Sequence, residues 1–266
     1  SSTVLPILEN FLFEIKDGNL TISATDLQTS MTTSLPVESK EGGKVAVPAR
    51  ILLDTLKSLP DQPISFNIDD STFSSEISAG DGKYKLSGEN GDDFPKIPVV
   101  ENASSVNLPA SVLTEAITKT IFAVSSDELR PAMTGVFCQL SEQHITFVAT
   151  DAHKLVRYRR MDSKGEKSSS FILPKKALTL LKAALPSTDI NVSVDYNATS
   201  AFFKFENINL VCRLIDERYP DYEAVIPANN PNKLVIDRAL FLNTLRRVVI
   251  FANKTTHQVR LKINGS

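Results

Sequence analysis

The 266-residue chain has no tryptophan, and only two cysteines, three methionines and three histidines. With His144, His153 and His257 as its whole histidine stock, it has little from which to assemble a metal centre or a histidine-dependent catalytic group. Cys138 and Cys212 are lone thiols inside apolar strands, which suits small buried hydrophobes better than a disulfide or a metal pair. No apolar run approaches the roughly 20 residues that span a bilayer, and the opening Ser-Ser-Thr-Val-Leu-Pro lacks a basic segment ahead of an apolar core. These absences point to a cytoplasmic protein with no membrane partner. There is also no phosphate-cradling glycine loop, no His-Glu-X-X-His, no Cys-X-X-Cys and no Gly-X-Ser-X-Gly. No cofactor is therefore expected.

What the chain does have is a domain-sized internal repeat. Phe147 to Arg160 reads Phe-Val-Ala-Thr-Asp-Ala-His-Lys-Leu-Val-Arg-Tyr-Arg-Arg, and Ser23 to Thr32 echoes it as Ser-Ala-Thr-Asp-Leu-Gln-Thr-Ser-Met-Thr. Thr25 and Thr150 stand 125 residues apart, and so do Pro6 and Pro131, and Phe94-Pro95 and Tyr219-Pro220. Val47-Pro48-Ala49-Arg50 matches Leu173-Pro174-Lys175-Lys176 at a spacing of 126. Several landmarks that keep one spacing mark duplicated structure, where a single shared tripeptide would be chance.

The periodicity within each repeat sets the element types. Phe11, Phe13 and Ile15 alternate up to Asp17-Gly18-Asn19, and Leu20, Ile22 and Ala24 alternate after it, which predicts a hairpin. Leu52, Leu56 and Leu59 recur at helical spacing between Pro48 and Pro60, and strands are expected around 64–68, 72–78 and 83–87. The second repeat predicts a helix over 109–126, strands over 135–140, 144–149 and 154–161, a helix over 174–185, and strands near 192–194, 201–205 and 209–214. A further unit opens after Pro227, with 234–237 as the end of a strand and a helix carrying Leu240, Leu242, Leu245, Val248 and Val249. The expected architecture is α+β, two helices over mostly antiparallel strands in each full repeat. Its expected divisions are 1–102, lacking a first helix; 103–229, complete; and 230–266, the start of a third copy, so that the chain reads as trimmed at both ends.

Two readings of function stay open at this level. In one, Thr150-Asp151-Ala152-His153 supplies a base and its orienting carboxylate to a ligand-binding or hydrolytic protein, although Asp151 is equally suited to closing a turn on backbone amides. In the other, charge is the signal. The four helical stretches hold ten Lys or Arg, from Arg50 to Lys254, against three acids, Asp54, Glu115 and Asp237, while the whole chain is at −2. Basic helices in successive repeats of an otherwise acidic chain suit a polyanion held by phosphate attraction.

The residues also carry a family resemblance. Thr3-Val-Leu-Pro-Ile-Leu-Glu-Asn, Ala24-Thr-Asp-Leu, Val47-Pro-Ala-Arg, Phe94-Pro, Val148-Ala-Thr-Asp-Ala-His-Lys-Leu and Leu214-Ile-Asp-Glu-Arg-Tyr-Pro-Asp-Tyr run in the order and spacing of the bacterial DNA polymerase III beta subunits. The chain resembles these sliding clamps over nearly its whole length. The resemblance implies a non-catalytic role and repeated clamp domains forming part of a ring, closed as a homodimer around double-stranded DNA without regard to sequence. It places Arg50, Lys57, Lys119, Lys175, Lys176, Lys182, Arg246 and Arg247 toward the DNA, with Arg130 at a ring face. It implies an apolar groove that takes short linear peptides of the replicative polymerase, clamp loader and repair proteins, lined on this chain by Met133, Thr150, Ala152, His153, Lys154, Leu155, Pro220 and Val225. Tyr84, Leu86, Ile250 and Phe251 fall on subunit-contact positions. Departures are Ala152, Lys154 and Ala224, where the family often has glycine, arginine and a basic residue, and Ser2, where an arginine is expected.

Overall fold

A computed structural model describes residues 5–99 and 101–263; Ser2 lies outside them. The chain forms two compact units, one running to Pro220 and one from Asp221 onward.

The first unit opens with a 3-10 turn, Pro6–Glu9, followed by β1 (Asn10–Lys16), β2 (Asn19–Thr25), β3 (Thr29–Pro36), β4 (Gly43–Pro48), α1 (Ala49–Ser58), β5 (Ile64–Ile68), β6 (Ser74–Ala79), β7 (Gly82–Ser87) and the short β8 (Glu89–Asn90). Next come β9 (Ser104–Pro109), α2 (Ala110–Thr120), β10 (Gly135–Leu140), β11 (Ile145–Thr150), β12 (Leu155–Arg160), β13 (Ser169–Pro174), α3 (Lys175–Ala184), β14 (Asn191–Tyr196), β15 (Ser200–Phe205) and β16 (Ile208–Arg213). The second unit holds a 3-10 turn, Glu223–Val225, then α4 (Arg238–Val248) and another turn, Val249–Phe251.

The duplication is visible in the strand order. One sheet runs β12-β11-β10-β13, and the same order, β3-β2-β1-β4, recurs 125 residues earlier within a nine-stranded sheet, β8-β4-β1-β2-β3-β16-β15-β14-β9. The triplet β5-β6-β7 forms its own sheet, and its counterpart β14-β15-β16 belongs to the nine-stranded one. The halves are joined where β3 pairs antiparallel with β16, Met31 opposite Leu210 and Ser30 opposite Val211. The Arg213 amide donates to the Gln28 carbonyl at 2.9 Å at one end of this seam, and the Ser34 amide to the Asn207 carbonyl at 3.2 Å at the other.

Each half has its own core, as alternation along the strands requires. In the first, Phe13, Val45, Val47, Ile77 and Leu86 close over Leu52 of α1. Leu12 and Ala46, one residue out of phase, face the other way and meet Ile7 and Phe94. The second core is larger: Val136, Cys138, Ile145, Phe147, Phe203 and Leu210 lie with Leu113, Ala116 and Ile117 of α2 and Leu178 and Leu181 of α3. Burial of leucine-sized side chains at ~1.5 to 3 kcal/mol each makes these cores the main support of the fold. Both thiols are buried, which pushes each up to about 12 and keeps it protonated.

Three strands run straight into helices through proline. Pro48, Pro109 and Pro174 end β4, β9 and β13 and serve as N-caps of α1, α2 and α3, with φ of −53°, −58° and −61°. Having no N–H, each adds no orphan donor to a helix start that already has several.

Two expectations need correction, and one strand was absent from them. The helix predicted over 109–126 ends at Thr120; a 3-10 turn, Ile121–Ala123, follows, and the chain is extended from Val124, where the Ser125 amide is drawn to the Met133 carbonyl at 2.9 Å. No strand forms over 234–237; Asp237 instead caps α4, its Oδ1 accepting from the Leu240 amide at 2.7 Å. β3 was not expected, because Thr-Ser-Met-Thr-Thr-Ser-Leu-Pro has no apolar alternation.

Candidate functional site

The repeated Thr-Asp motif folds twice into the same turn. Thr150 Oγ1 donates to the Lys154 carbonyl at 2.8 Å and accepts from the Ala152 amide at 3.1 Å; Thr25 Oγ1 donates to the Thr29 carbonyl at 3.3 Å and accepts from the Leu27 amide at 3.1 Å. Asp151 Oδ1 accepts from the amides of His153 and Lys154, as Asp26 Oδ1 does from those of Gln28 and Thr29. Ala152 and Leu27 sit at φ of 71° and 72°, the left-handed region in which glycine is at ease, which accounts for the family's frequent glycine at the first. The Asp carboxylate thus closes the turn. The ammonium of Lys154 and these amides hold Asp151 well below the usual carboxylate range, despite an opposing contribution from burial. With Asp151 committed to backbone and Lys154, no carboxylate among the described residues orients the exposed His153 as a base.

Around the second turn, register assembles an apolar surface. Phe137 pairs with Val148 and Thr150 with Leu155, so these residues share the face of the β12-β11-β10-β13 sheet opposite the core residues Cys138, Phe147 and Ala149. Tyr219 stacks on Phe137 with ring centroids 4.5 Å apart and planes at 2°, bringing Pro220 to that face. Met133 lies in the 3-10 turn, Pro131–Thr134, that leads into β10. Thr150 and Leu155 therefore share one face, next to the turn in which Ala152, His153 and Lys154 are exposed. Val225 is exposed in the second unit.

The basic residues divide by partner. Arg50 and Lys57 on α1, and Lys175 and Lys182 on α3, point to solvent away from the apolar stripes of their helices and form no ion pair among the described residues. Lys119 is held by Glu115 at 2.5 Å and lies 4.8 Å above the Tyr158 ring, and Arg130 is held by Asp127 at 2.9 Å. Lys176 pairs with Asp26. In the second unit, Arg246 and Arg247 are exposed near the C-terminal end of α4, with Arg247 donating to Thr244 at 3.1 Å.

Two sheet edges stand out by repeat. β12 is the counterpart of β3 and β7 that of β16, yet β3 and β16 pair with each other while β12 and β7 are edges of their sheets. On β7, Tyr84 is 39% exposed, whereas Leu86 is only 6% exposed and belongs to the first core. Ile250 and Phe251 follow α4 with Phe251 89% exposed. The two sheet edges carry no motif of their own; the repeat, which matches β12 to β3 and β7 to β16, points to them.

The family model for the DNA polymerase III beta subunit N-terminal domain matches residues 1–98, and that for its central domain matches 107–221. A beta sliding clamp of Staphylococcus epidermidis is 29% identical, over 97% of this chain and 70% of its own length. Among solved structures, the DNA polymerase sliding clamp of Bacillus subtilis superposes with a TM-score of 0.90 at 26% identity, over 96% of this chain and 69% of that one. A Bartonella birtlesii clamp, bound to griselimycin, gives 0.86 at 29%, covering 94% and 68%.

Proposed function

The chain belongs to the DNA polymerase III beta-subunit family, the sliding clamps, and from that premise we propose how its own residues serve a non-catalytic, topological role. The observation that carries the proposal is the seam. β3 of one repeat joins β16 of the next, and their counterparts β12 and β7 are edges that the same head-to-tail contact can use again. A heterologous contact of this kind closes into a ring when its rotation is right. In the ring, repeats 1–102 and 103–229 are followed by a third that begins near residue 230. Tyr84 on β7 and Ile250 and Phe251 after α4 serve the contact between subunits, while Leu86, buried in the first core, supports β7 from within.

Retention on DNA then comes from closure, so phosphate contacts need only be weak and free of register. Arg50, Lys57, Lys175, Lys182, Arg246 and Arg247 supply them, on helix faces that bury nothing. The surface around Leu155, Thr150, Met133 and Pro220 takes an apolar side chain of a partner's linear peptide. The protein works in the cytoplasm, and no helix among its described residues is long and apolar enough to cross a membrane.

The decisive experiment replaces Lys175 and Lys182 with Glu in the assembled ring and follows its retention on closed circular duplex. The expected outcome is retention shortened about tenfold at low salt, with unchanged thermal stability, since exposed-charge changes stay within about 0.5 kcal/mol. Unchanged retention, or preference for one duplex sequence, refutes the assignment.

A further inference from the structure

The two Thr-Asp turns differ in one partner. Asp151 Oδ2 is taken by Lys154, three residues along its own turn. The position equivalent to Lys154 in the first turn is Thr29, which has no charge to offer, and Asp26 Oδ2 is taken instead by Lys176, 150 residues away on the first turn of α3. Lys176 therefore reaches from the second repeat to the first. It does so beside the seam, because the Gln28 carbonyl within the same turn accepts from the Arg213 amide at the end of β16. The carboxylate is prepared for this contact: Oδ1 is fixed by the Gln28 and Thr29 amides at 3.0 and 2.6 Å, so Oδ2 presents to the lysine with little orientational freedom left to lose.

We propose that Lys176 is a positioning residue which ties α3 of the second repeat to the Thr-Asp turn of the first, and that Asp26 keeps its ammonium off the DNA phosphates. Lys176 belongs by sequence with the basic helix face, and its neighbour Lys175 has no acidic partner among the described residues. The division of labour between two adjacent lysines is set by the reach of one carboxylate. Burial alone would raise the Asp26 pKa; the Lys176 ammonium and the turn amides outweigh it and hold the group below its ordinary value, as a persistent pair requires. The inference rests on the DNA-facing reading of α3 given above, and its test separates the two.

The test measures binding of a labelled duplex by fluorescence anisotropy across a salt series, where each phosphate contact contributes about 0.9 to the slope of log K against log salt. Lys175→Ala is expected to lower the slope by about 0.9 and Lys176→Ala to leave it unchanged. Asp26→Asn, which keeps the turn acceptor but removes the charge, is expected to raise the slope by about 0.9, and Asp26→Asn combined with Lys176→Ala to restore it. Hydrogen exchange read on the same proteins is expected to quicken several-fold at the Arg213 amide and along β3 in both single variants of the pair. If Lys176→Ala lowers the slope as Lys175→Ala does and leaves seam exchange untouched, the tie is wrong and Lys176 is a phosphate contact. If Lys175→Ala leaves the slope unchanged, the DNA-facing reading of α3 fails, and the exchange rates alone still decide for or against the tie.

Discussion

The first Thr-Asp turn and the second have one backbone and opposite surroundings. The residue after the first turn, Ser30, is buried opposite Val211 in the seam, and its hydroxyl lies 2.6 Å from Thr25 Oγ1. The residue after the second, Leu155, occupies the equivalent position at the start of an edge strand and remains half exposed. A turn that repeats identically is a structural unit; the side chain that follows it is set by what covers it. Where a strand covers it, a small hydroxyl fits the ladder, and where no strand does, an apolar side chain is presented.

Breaking the covered member has the largest expected effect. Ser30→Pro places proline in a strand hydrogen-bonded on both sides, opposite Thr25 in β2 and Val211 in β16, so its missing N–H removes a ladder bond whichever way it points. A loss of about 3 kcal/mol is expected in urea denaturation, with fast exchange spreading along the seam; a loss under 1 kcal/mol means that the two halves do not depend on this ladder. Converting the open member toward the covered one, Leu155→Ser, is expected to leave stability within about 1.5 kcal/mol. On the function proposed above it removes apolar contact worth ~1.5 to 3 kcal/mol, or about 10- to 150-fold in affinity for a polymerase-derived peptide by titration. Equal affinity in the folded variant removes Leu155 from the groove.

The same pair of turns marks what the sequence discloses. α1 and α3 read correctly from leucine spacing because their apolar stripes pack into the cores, and β1 and β2 read from alternation. β3 was illegible on its own terms: both of its edges are paired and much of its surface is Thr and Ser, so hydrogen bonding, not apolar burial, holds it in place. Only its counterpart β12, 125 residues on, discloses it. Thr150 and Leu155 were legible as separate residues, but the face they share with Phe137 and Val148 follows from the Phe137–Val148 and Thr150–Leu155 registers, which a linear reading cannot supply. The Lys176–Asp26 pair was not legible at all, because nothing in a lysine on a helix marks which carboxylate lies within reach.

Acid sharpens the comparison with a smaller effect. Asp26 and Asp151 both have carboxyls held below their unfolded values, so each contributes stability that is present above the unfolded pKa near 4 and lost as pH falls through the lower folded value. Between about pH 5 and the folded-state values, Asp26→Asn and Asp151→Asn should each flatten the fall of unfolding free energy with pH. For Asp26 the difference should be about 1 kcal/mol or less, since Lys176 is largely exposed and screened. Lys176→Ala should flatten the curve as Asp26→Asn does, and Lys154→Ala as Asp151→Asn does. If Lys176→Ala has no effect on the acid limb, the cross-repeat pair is not formed in solution.

The smallest effect tests whether the two turns are equivalent as backbone. Leu27 and Ala152 both hold left-handed φ, a conformation that costs a residue with a Cβ roughly 1 kcal/mol relative to glycine. Glycine relieves that cost but adds freedom to the unfolded chain, which takes back about 0.4 to 1 kcal/mol. Leu27→Gly and Ala152→Gly should therefore each change stability by less than about 1 kcal/mol, toward greater stability. The change should appear as a shift of the urea midpoint at constant slope, because neither residue is buried and little surface changes hands. Since hydrogen bonds and φ match in the two turns, the shifts should agree within a few tenths of a kcal/mol. A gain at Ala152 with a clear loss at Leu27 would show that the Leu27 side chain does work that Ala152 does not, and that the turns share a shape without sharing an energy.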